Sequence, residues 1–301
     1  MKYLLYSLII VTFMGACTEH TSILKIGLVA DPQYADKPAF KTRHYRESLN
    51  KLQEAVDTFN SGNVDFVQNL GDIIDEGWGN FDSILSIYKN LNPAIKNYHL
   101  LGNHDFDIDS SLMKKLTGTL SMPDYYYSYQ KEGWCFIVLD ATDYAYFSNP
   151  LHKRKKSEID NYYNQTEEKP NHHVWNGAIG EKQQNWLKNE IESAEKSGQK
   201  IIIFSHMPIR PLEEKHNLWN DTIIVNLIEK SPNVVAYICG HNHAGGYVNE
   251  NGIHYITLSG MVDGQANSFG ILSLFKDSIL FEGFGNQRSL HLKIKPEYKR
   301  E

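Results

Sequence analysis

Along the 301-residue chain, compact apolar runs alternate with amphipathic stretches. The runs are ILKIGLVA (23–30), VDFVQNL (64–70), NYHLLG (97–102), CFIVLD (135–140), IIIFSH (201–206) and VVAYICG (234–240). Apolar runs this short, bounded by turn residues, predict buried strands. Between the first two, residues 45–59 put Leu49, Leu52, Ala55, Val56 and Phe59 at helical spacing, and residues 183–194 do the same with Trp186, Leu187 and Ile191. Strand and helix in alternation predict an α/β architecture. Beyond Gly246 the pattern changes to period-two alternation, with turns at Asn251-Gly252 and around Asp277-Ser278, which predicts antiparallel strands closing a second sheet. Residues 144–176 fit neither pattern. They are polar and read as surface padding rather than a lid, and the basic cluster 153–156 reads as a solvated face. With no internal repeat and no Pro/Gly-rich linker, residues 23–301 read as one domain.

The N-terminus is of another kind. Lys2 precedes an apolar run too short to span a bilayer as a helix, and Gly15 and Ala16 lead into Cys17. Residues 1–16 are therefore expected to be an export signal. Met14-Gly15-Ala16-Cys17 resembles a bacterial lipoprotein box, which would make Cys17 a lipidated mature N-terminus on a periplasmic or surface protein. Plain secretory cleavage with an incidental cysteine is the competing reading. Cys135 and Cys239 lie inside apolar runs and read as buried structural thiols. The 41% apolar content supports a large core, and a net charge of −6 without a Lys/Arg block argues against nucleic acid or an anionic membrane as the main partner. A small phosphorylated ligand needs only a local positive site.

The chemistry lies at the ends of the strands. Asp31 and Gln33 follow the first run, Asp72 the second, Asn103 and His104 the third, His206 the fifth, and His241 with His243 the sixth. Any one of these residues has a turn or cap explanation. In an α/β sheet, however, side chains after successive strands converge at one edge, and five strand ends with one chemistry point to a metal site. Carboxylate, amide and imidazole donors without thiolate suit Mn²⁺ or Fe²⁺, with Zn²⁺ or Mg²⁺ as alternatives. Seven donors exceed the need of one ion. A pair of ions sharing Asp72 accommodates them, with His241 and His243 each reaching a different one. Gly71, Gly102 and Gly240 each precede a donor segment, where backbone must pass close.

In order, DPQ, GDIID, GNHD, SHMP and GHNH resemble the signature blocks of the calcineurin-like metallophosphoesterases, over residues 23–285. The resemblance implies a four-layer α/β/β/α sandwich with two mixed β-sheets, and in-line attack of hydroxide on phosphorus without a covalent intermediate. It also implies one ion on Asp31, Gln33, Asp72 and His243, and a second on Asp72, Asn103, His206 and His241. His104 would stabilise the transition state or protonate the leaving oxygen. Gln33 stands where many members have histidine, a change toward harder metals such as Mn²⁺. DPQYAD, TRHYRESLNKL, WNGAIGEKQQNWL, NLWN and GHNHAGGYVNENGIHYITLSGMVDG resemble the manganese-dependent ADP-ribose/CDP-alcohol diphosphatases in particular. On that resemblance Arg43 and Arg46 would hold a second phosphate, unless they form surface salt bridges, and Phe40, Leu218 or Trp219 would pack a base or ribose.

A hydrolase of phosphoric ester or diphosphate bonds in nucleotide-diphosphate-like molecules uses every one of these strand-end residues. Two other readings stay open: a noncatalytic, metal-retaining binding lipoprotein, against which His104 counts, and a phosphomonoesterase or phospholipid esterase with a different pocket. Membrane association is expected only through the lipid anchor, and the sequence does not fix an oligomeric state.

Overall fold

The computed structural model describes residues 22–295. The expected export signal (1–16) and Cys17 lie outside the described residues. Among the described residues there are twelve strands: β1 Leu24–Val29, β2 Phe66–Asn69, β3 Lys96–Tyr98, β4 Tyr127–Lys131, β5 Trp134–Val138, β6 Lys200–Phe204, β7 Val234–Cys239, β8 Ala244–Glu250, β9 Ile253–Ser259, β10 Ser268–Leu274, β11 Ser278–Gly285 and β12 Leu290–Lys293. The helices are α1 Ser48–Ser61, α2 Asn80–Tyr88, α3 Leu116–Thr119, α4 Asn149–His152, α5 Lys156–Asn164, α6 Glu181–Lys196 and α7 Asp221–Ile228.

The strands form two six-stranded sheets, ordered β12-β11-β10-β1-β2-β3 and β4-β5-β6-β7-β9-β8. Both are mixed: β1, β2 and β3 run parallel, as do β5, β6, β7 and β9, while the remaining strands pair antiparallel. Alternation along β6 shows why the central strands read as unbroken apolar runs. Ile202 and Phe204 face the core shared by the two sheets, and Ile201 and Ile203 face α6 and α7. Between the sheets, Phe66 of β2 meets Phe136 of β5 at 5.2 Å, and Tyr98 stacks on Tyr129 at 4.0 Å. On the far side of the first sheet, α1 buries Leu52, Ala55, Val56 and Phe59. These four layers give the α/β/β/α sandwich.

One expectation holds in part and another is corrected. The tail is divided between the sheets: the antiparallel β8–β9 hairpin closes the second sheet through β7, while β10, β11 and β12 extend the first through β1. Period-two alternation sets which face is buried but not which edge a hairpin joins. The expected buried strand 97–102 is the short edge strand β3, hydrogen-bonded only to β2; Leu100 and Leu101 are buried beyond its end without ladder partners. Asn251 and Gly252 turn between β8 and β9 with φ of 50° and 84°, as a tight hairpin requires. Among the described residues no helix is long and apolar enough to cross a membrane.

Phe59 lies against Gly27 of β1 and edge-on to Phe269 of β10 at 5.6 Å. Truncating it opens a cavity at the junction of helix and sheet. Phe59→Ala is expected to lower unfolding stability by about 3–5 kcal/mol, read from the urea midpoint of the metal-free protein; a loss below about 1 kcal/mol would contradict this packing.

Candidate metal centre

The loops after β1, β2, β3, β6 and β7 meet at one edge of the sandwich, and backbone pairing continues past the strands to hold them there. Asp31 donates its N–H to Gly71 O (3.2 Å), Gln33 to Asp72 O (2.8 Å) and Gly240 to His206 O (3.0 Å). Four of the residues so placed, Asp31, Gln33, Asp72 and His241, have φ between 44° and 66°, a left-handed conformation costing each about 1 kcal/mol or more. Strain gathered on the donor residues marks a site that the surrounding structure forces into shape. Gly102 passes so close behind Asp72 that a Cβ on it would collide with the carboxylate and come within 2.6 Å of His206 Cε1.

Asp72 is at the centre. Its Oδ1 accepts the His104 N–H at 2.7 Å, and its Oδ2 accepts from Gln33 Nε2 at 2.9 Å and lies 3.3 Å from His206 Nε2. His206 donates from Nδ1 to Leu70 O (2.8 Å), which turns Nε2 toward Asp72 and toward Asn103 Oδ1 (3.2 Å). Donor atoms of Asp72, His206 and His241 all lie within 4.8 Å of one another, the spacing of a shared cation. On the other side of Asp72, Asp31 accepts the His241 N–H, and His243 Nε2 is 3.6 Å from Asp31 Oδ1 and 3.1 Å from Gln33 Nε2.

Charge follows this geometry. Burial works to raise the Asp72 carboxyl, but His206 and His104 outweigh it and hold the group below the usual carboxylate range. Burial works to lower His206 and His243, yet Asp72 raises His206 to about 9, and Asp31 with Asp263 raises His243 to about 10. Burial and the charge of His206 keep His241 well below its ordinary value.

Gln33 tests whether these donors fit a cation. Its Nε2 points between Asp72 Oδ2 and His243 Nε2, while its buried Oε1 has no hydrogen-bond partner. A positive charge at that point, whether a proton on His243 or a metal ion, draws in the oxygen once the amide turns over, and the two amide orientations differ only by that rotation. The donors therefore suit divalent cations on both sides of Asp72.

Four carboxamide and carboxylate residues close to the centre carry no role in the sequence reading. Asp105, buried behind Asp72, accepts the N–H groups of Asp72, Ile73, Ile74 and Gly102 at 2.8–3.2 Å and so ties two donor loops together; burial and the Asp72 charge still push its carboxyl up to about 7. Asp75 takes His104 Nδ1 at 3.1 Å on its backbone oxygen and 3.2 Å on its carboxylate. Asp263 holds His243 Nδ1 at 2.9 Å, and Asn176 holds His241 Nε2 at 2.9 Å. The available signals were GDIID, GNHD, MVDG and WNG, each of which also reads as a turn.

The outer candidates separate. Arg43 Nη1 lies 3.4 Å from His104 Nε2 and 3.5 Å from Asp75 Oδ1, within the site. Arg46 instead forms a surface ion pair with Asp36 at 2.7 Å. Phe40 is 62% exposed, three residues before Arg43, and pairs with it through the backbone. Leu218 and Trp219 are corrected: at 0% and 3% exposure they are core residues, Leu218 under α7 and Trp219 against Tyr146 and Tyr163, and neither has a face free for a ligand. Residues 144–176 are also not padding. They contain α4 and α5, Arg154 pairs with buried Asp143, and Asn176 at their end reaches His241.

The chain is similar to known proteins in sequence and in fold. The family described as Calcineurin-like phosphoesterase matches residues 24–245. A protein of Arabidopsis thaliana named manganese-dependent ADP-ribose/CDP-alcohol diphosphatase is 29% identical over 92% of this chain and 98% of its own length. One of the same name from Xenopus laevis is 27% identical over 89% and 90%. Among solved structures, a dimetal phosphatase from Danio rerio superposes with a TM-score of 0.80 at 24% identity, covering 91% of this chain and all of that one.

Because the Asp72 and Asp31 carboxylates raise His206 and His243 above their ordinary range, cation uptake at their Nε2 atoms is expected to expel protons. Loading with Mn²⁺ at pH 7.5 is expected to release about two protons per chain, measured by calorimetry in buffers of different ionisation enthalpy. The sign follows: affinity weakens as pH falls. Binding without proton release would show that these imidazoles are not displaced.

Proposed function

The chain belongs to the calcineurin-like phosphoesterases, and from that membership we propose that it is a hydrolase of the diphosphate bond in small nucleotide-diphosphate-like molecules, of the ADP-ribose or CDP-alcohol type. Two divalent ions, Mn²⁺ preferred, complete the site. Asp31, Gln33, Asp72 and His243 would hold one, and Asp72, Asn103, His206 and His241 the other. Bound there, such ions supply an activated water and neutralise phosphoryl oxygens.

The single observation that carries the diphosphate reading is Arg43 beside His104. Asp75 takes the Nδ1 proton of His104, so Nε2 faces outward, and in the doubly protonated ring it is the nitrogen whose proton would pass to the leaving oxygen. At 3.4 Å from that nitrogen, the Arg43 guanidinium stands where a leaving phosphate needs a second positive charge. A monoester with a neutral leaving group has no use for it. The relatives' shared name, across nearly the full length of this chain, supports the same substrate class.

Export is part of the proposal. The basic start, the short apolar run and the small residues before Cys17 support a lipid-anchored, exported enzyme that would meet extracytoplasmic molecules of this diphosphate class. Cys17→Ser is expected to move the protein from the membrane fraction to the soluble one; unchanged partitioning would remove the anchor.

With Mn²⁺ present, ADP-ribose and CDP-choline are expected to be hydrolysed in preference to p-nitrophenyl phosphate. His104→Ala should retain both ions and lose about 10²–10⁴ in kcat. Arg43→Ala should lose about 10–100-fold in kcat/KM on the diphosphates, the worth of one charge-assisted hydrogen bond, and less on p-nitrophenyl phosphate. Inactivity toward all three substrates with metal bound would favour a binding protein. Equal losses for Arg43→Ala on all substrates would withdraw the diphosphate preference.

A further inference from the structure

We propose that Asn176 is a positioning residue for His241, fixing its imidazole as the Nε2–H tautomer and so leaving Nδ1 as the one lone pair that the ring offers to an ion. The inference rests on the dinuclear reading above for its consequence, but its geometry is independent of any metal. Asn176 is fully buried, and its Nδ2 donates to Asn171 O at 3.1 Å and to Lys215 O at 2.8 Å. Carbonyl oxygens can only accept, so both hydrogens of the amide are committed and its orientation is determined by the chemistry of its partners. Oδ1 must then face His241 Nε2, 2.9 Å away, and an oxygen without a proton can only accept. The His241 proton therefore sits on Nε2. With the Nε2 proton directed at Oδ1, Nδ1 is the nitrogen left to face an ion.

The two carbonyls that pin Asn176 are themselves held. Asn171 Nδ2 donates to Leu218 O (2.8 Å), Trp219 N to Gly177 O (2.8 Å) and Trp219 Nε1 to His173 O (3.0 Å), which ties residues 171–177 to residues 215–219. Trp219, buried and unavailable to a ligand, acts here as a bolt between the two segments. The polar stretch 144–176 thus ends in a rigid strut under one candidate ligand. Partners of this kind commonly change metal affinity by about 10–100-fold.

Long-range ¹H–¹⁵N correlation on the metal-free chain carrying ¹⁵N-histidine reads the tautomer directly. The expected pattern for His241 is Nε2–H in the wild type and a tautomer mixture in Asn176→Ala. Mn²⁺ titration followed by calorimetry and EPR should show two ions in the wild type. In Asn176→Ala one ion should weaken by about 10–100-fold, with the coupled-pair spectrum replaced by that of an isolated ion. The wild-type tautomer is read without any variant, so the proposal stays testable even where the alanine variant does not fold. An Nδ1–H wild type, or an alanine variant that binds both ions as tightly as wild type, would overturn the proposal. A wild type that takes up only one ion while showing Nε2–H would instead sink the dinuclear reading and leave the strut standing.

Discussion

The arrangement depends on one buried carboxylate that has to serve two sides at once. Placing Asp72 out of water costs several kcal/mol unless its lone pairs are met, and here each oxygen is met from a different direction. Oδ1 takes the backbone of His104, and Oδ2 faces Gln33 and His206. No regular secondary structure delivers an aspartate into such a position. The chain reaches it by a left-handed turn at Asp72, by glycines on both approaching loops, and by Asp105, which collects backbone N–H groups from both. Asp105 is thus a folding template for the site: it spends a buried charge so that Asp72 can face outward.

The same demand accounts for how the tail is divided between the sheets. The donors come from β1, β2 and β3 of one sheet and from β6 and β7 of the other, so the seam between the sheets must close where the donors meet. It closes through the segment after β9, whose Met261 and Val262 donate to the carbonyls of Ala30 and Asp31. Buried Lys51, reaching from α1 to Met261 O at 2.8 Å and Gly264 O at 2.7 Å, holds that segment and with it Asp263, the partner of His243. A tail that formed a separate sheet would leave this seam open.

How much of this the sequence discloses depends on whether a residue departs from what its surroundings would select. Strand β6 is legible because both its faces are buried and nothing interrupts IIIF, and His206 is legible because an imidazole at the end of such a run has no packing reason to be there. Asn176 and Asp105 are not legible in this way, since asparagine and aspartate in turns are ordinary and their partners lie 65 residues away at His241 or on the loop behind Asp72. Leu218 and Trp219 misled because apolarity does not distinguish the wall of a cleft from the core beneath it. Arg43 and Arg46 look alike in sequence, but Arg43 belongs to the paired segment that Asp263 anchors and Arg46 to the 3-10 turn before α1, which directs it to Asp36.

That division between interior and rim bears on what can vary. Most of the donors and their partners are buried, with Asn103, His243 and Asp263 half-buried, and each has a neighbour that a substitution would leave unpaired, so the ion-binding chemistry has little room to drift. Phe40, Val174 and Trp175 are exposed on segments that lead directly into Arg43 and Asn176, and no buried hydrogen bond depends on their side chains. Changes there alter what can be held over the ions without disturbing them. Relatives could therefore share one buried centre and differ in substrate through such residues alone, because the strut from Asn176 and the template of Asp105 shield the centre from changes at its edge.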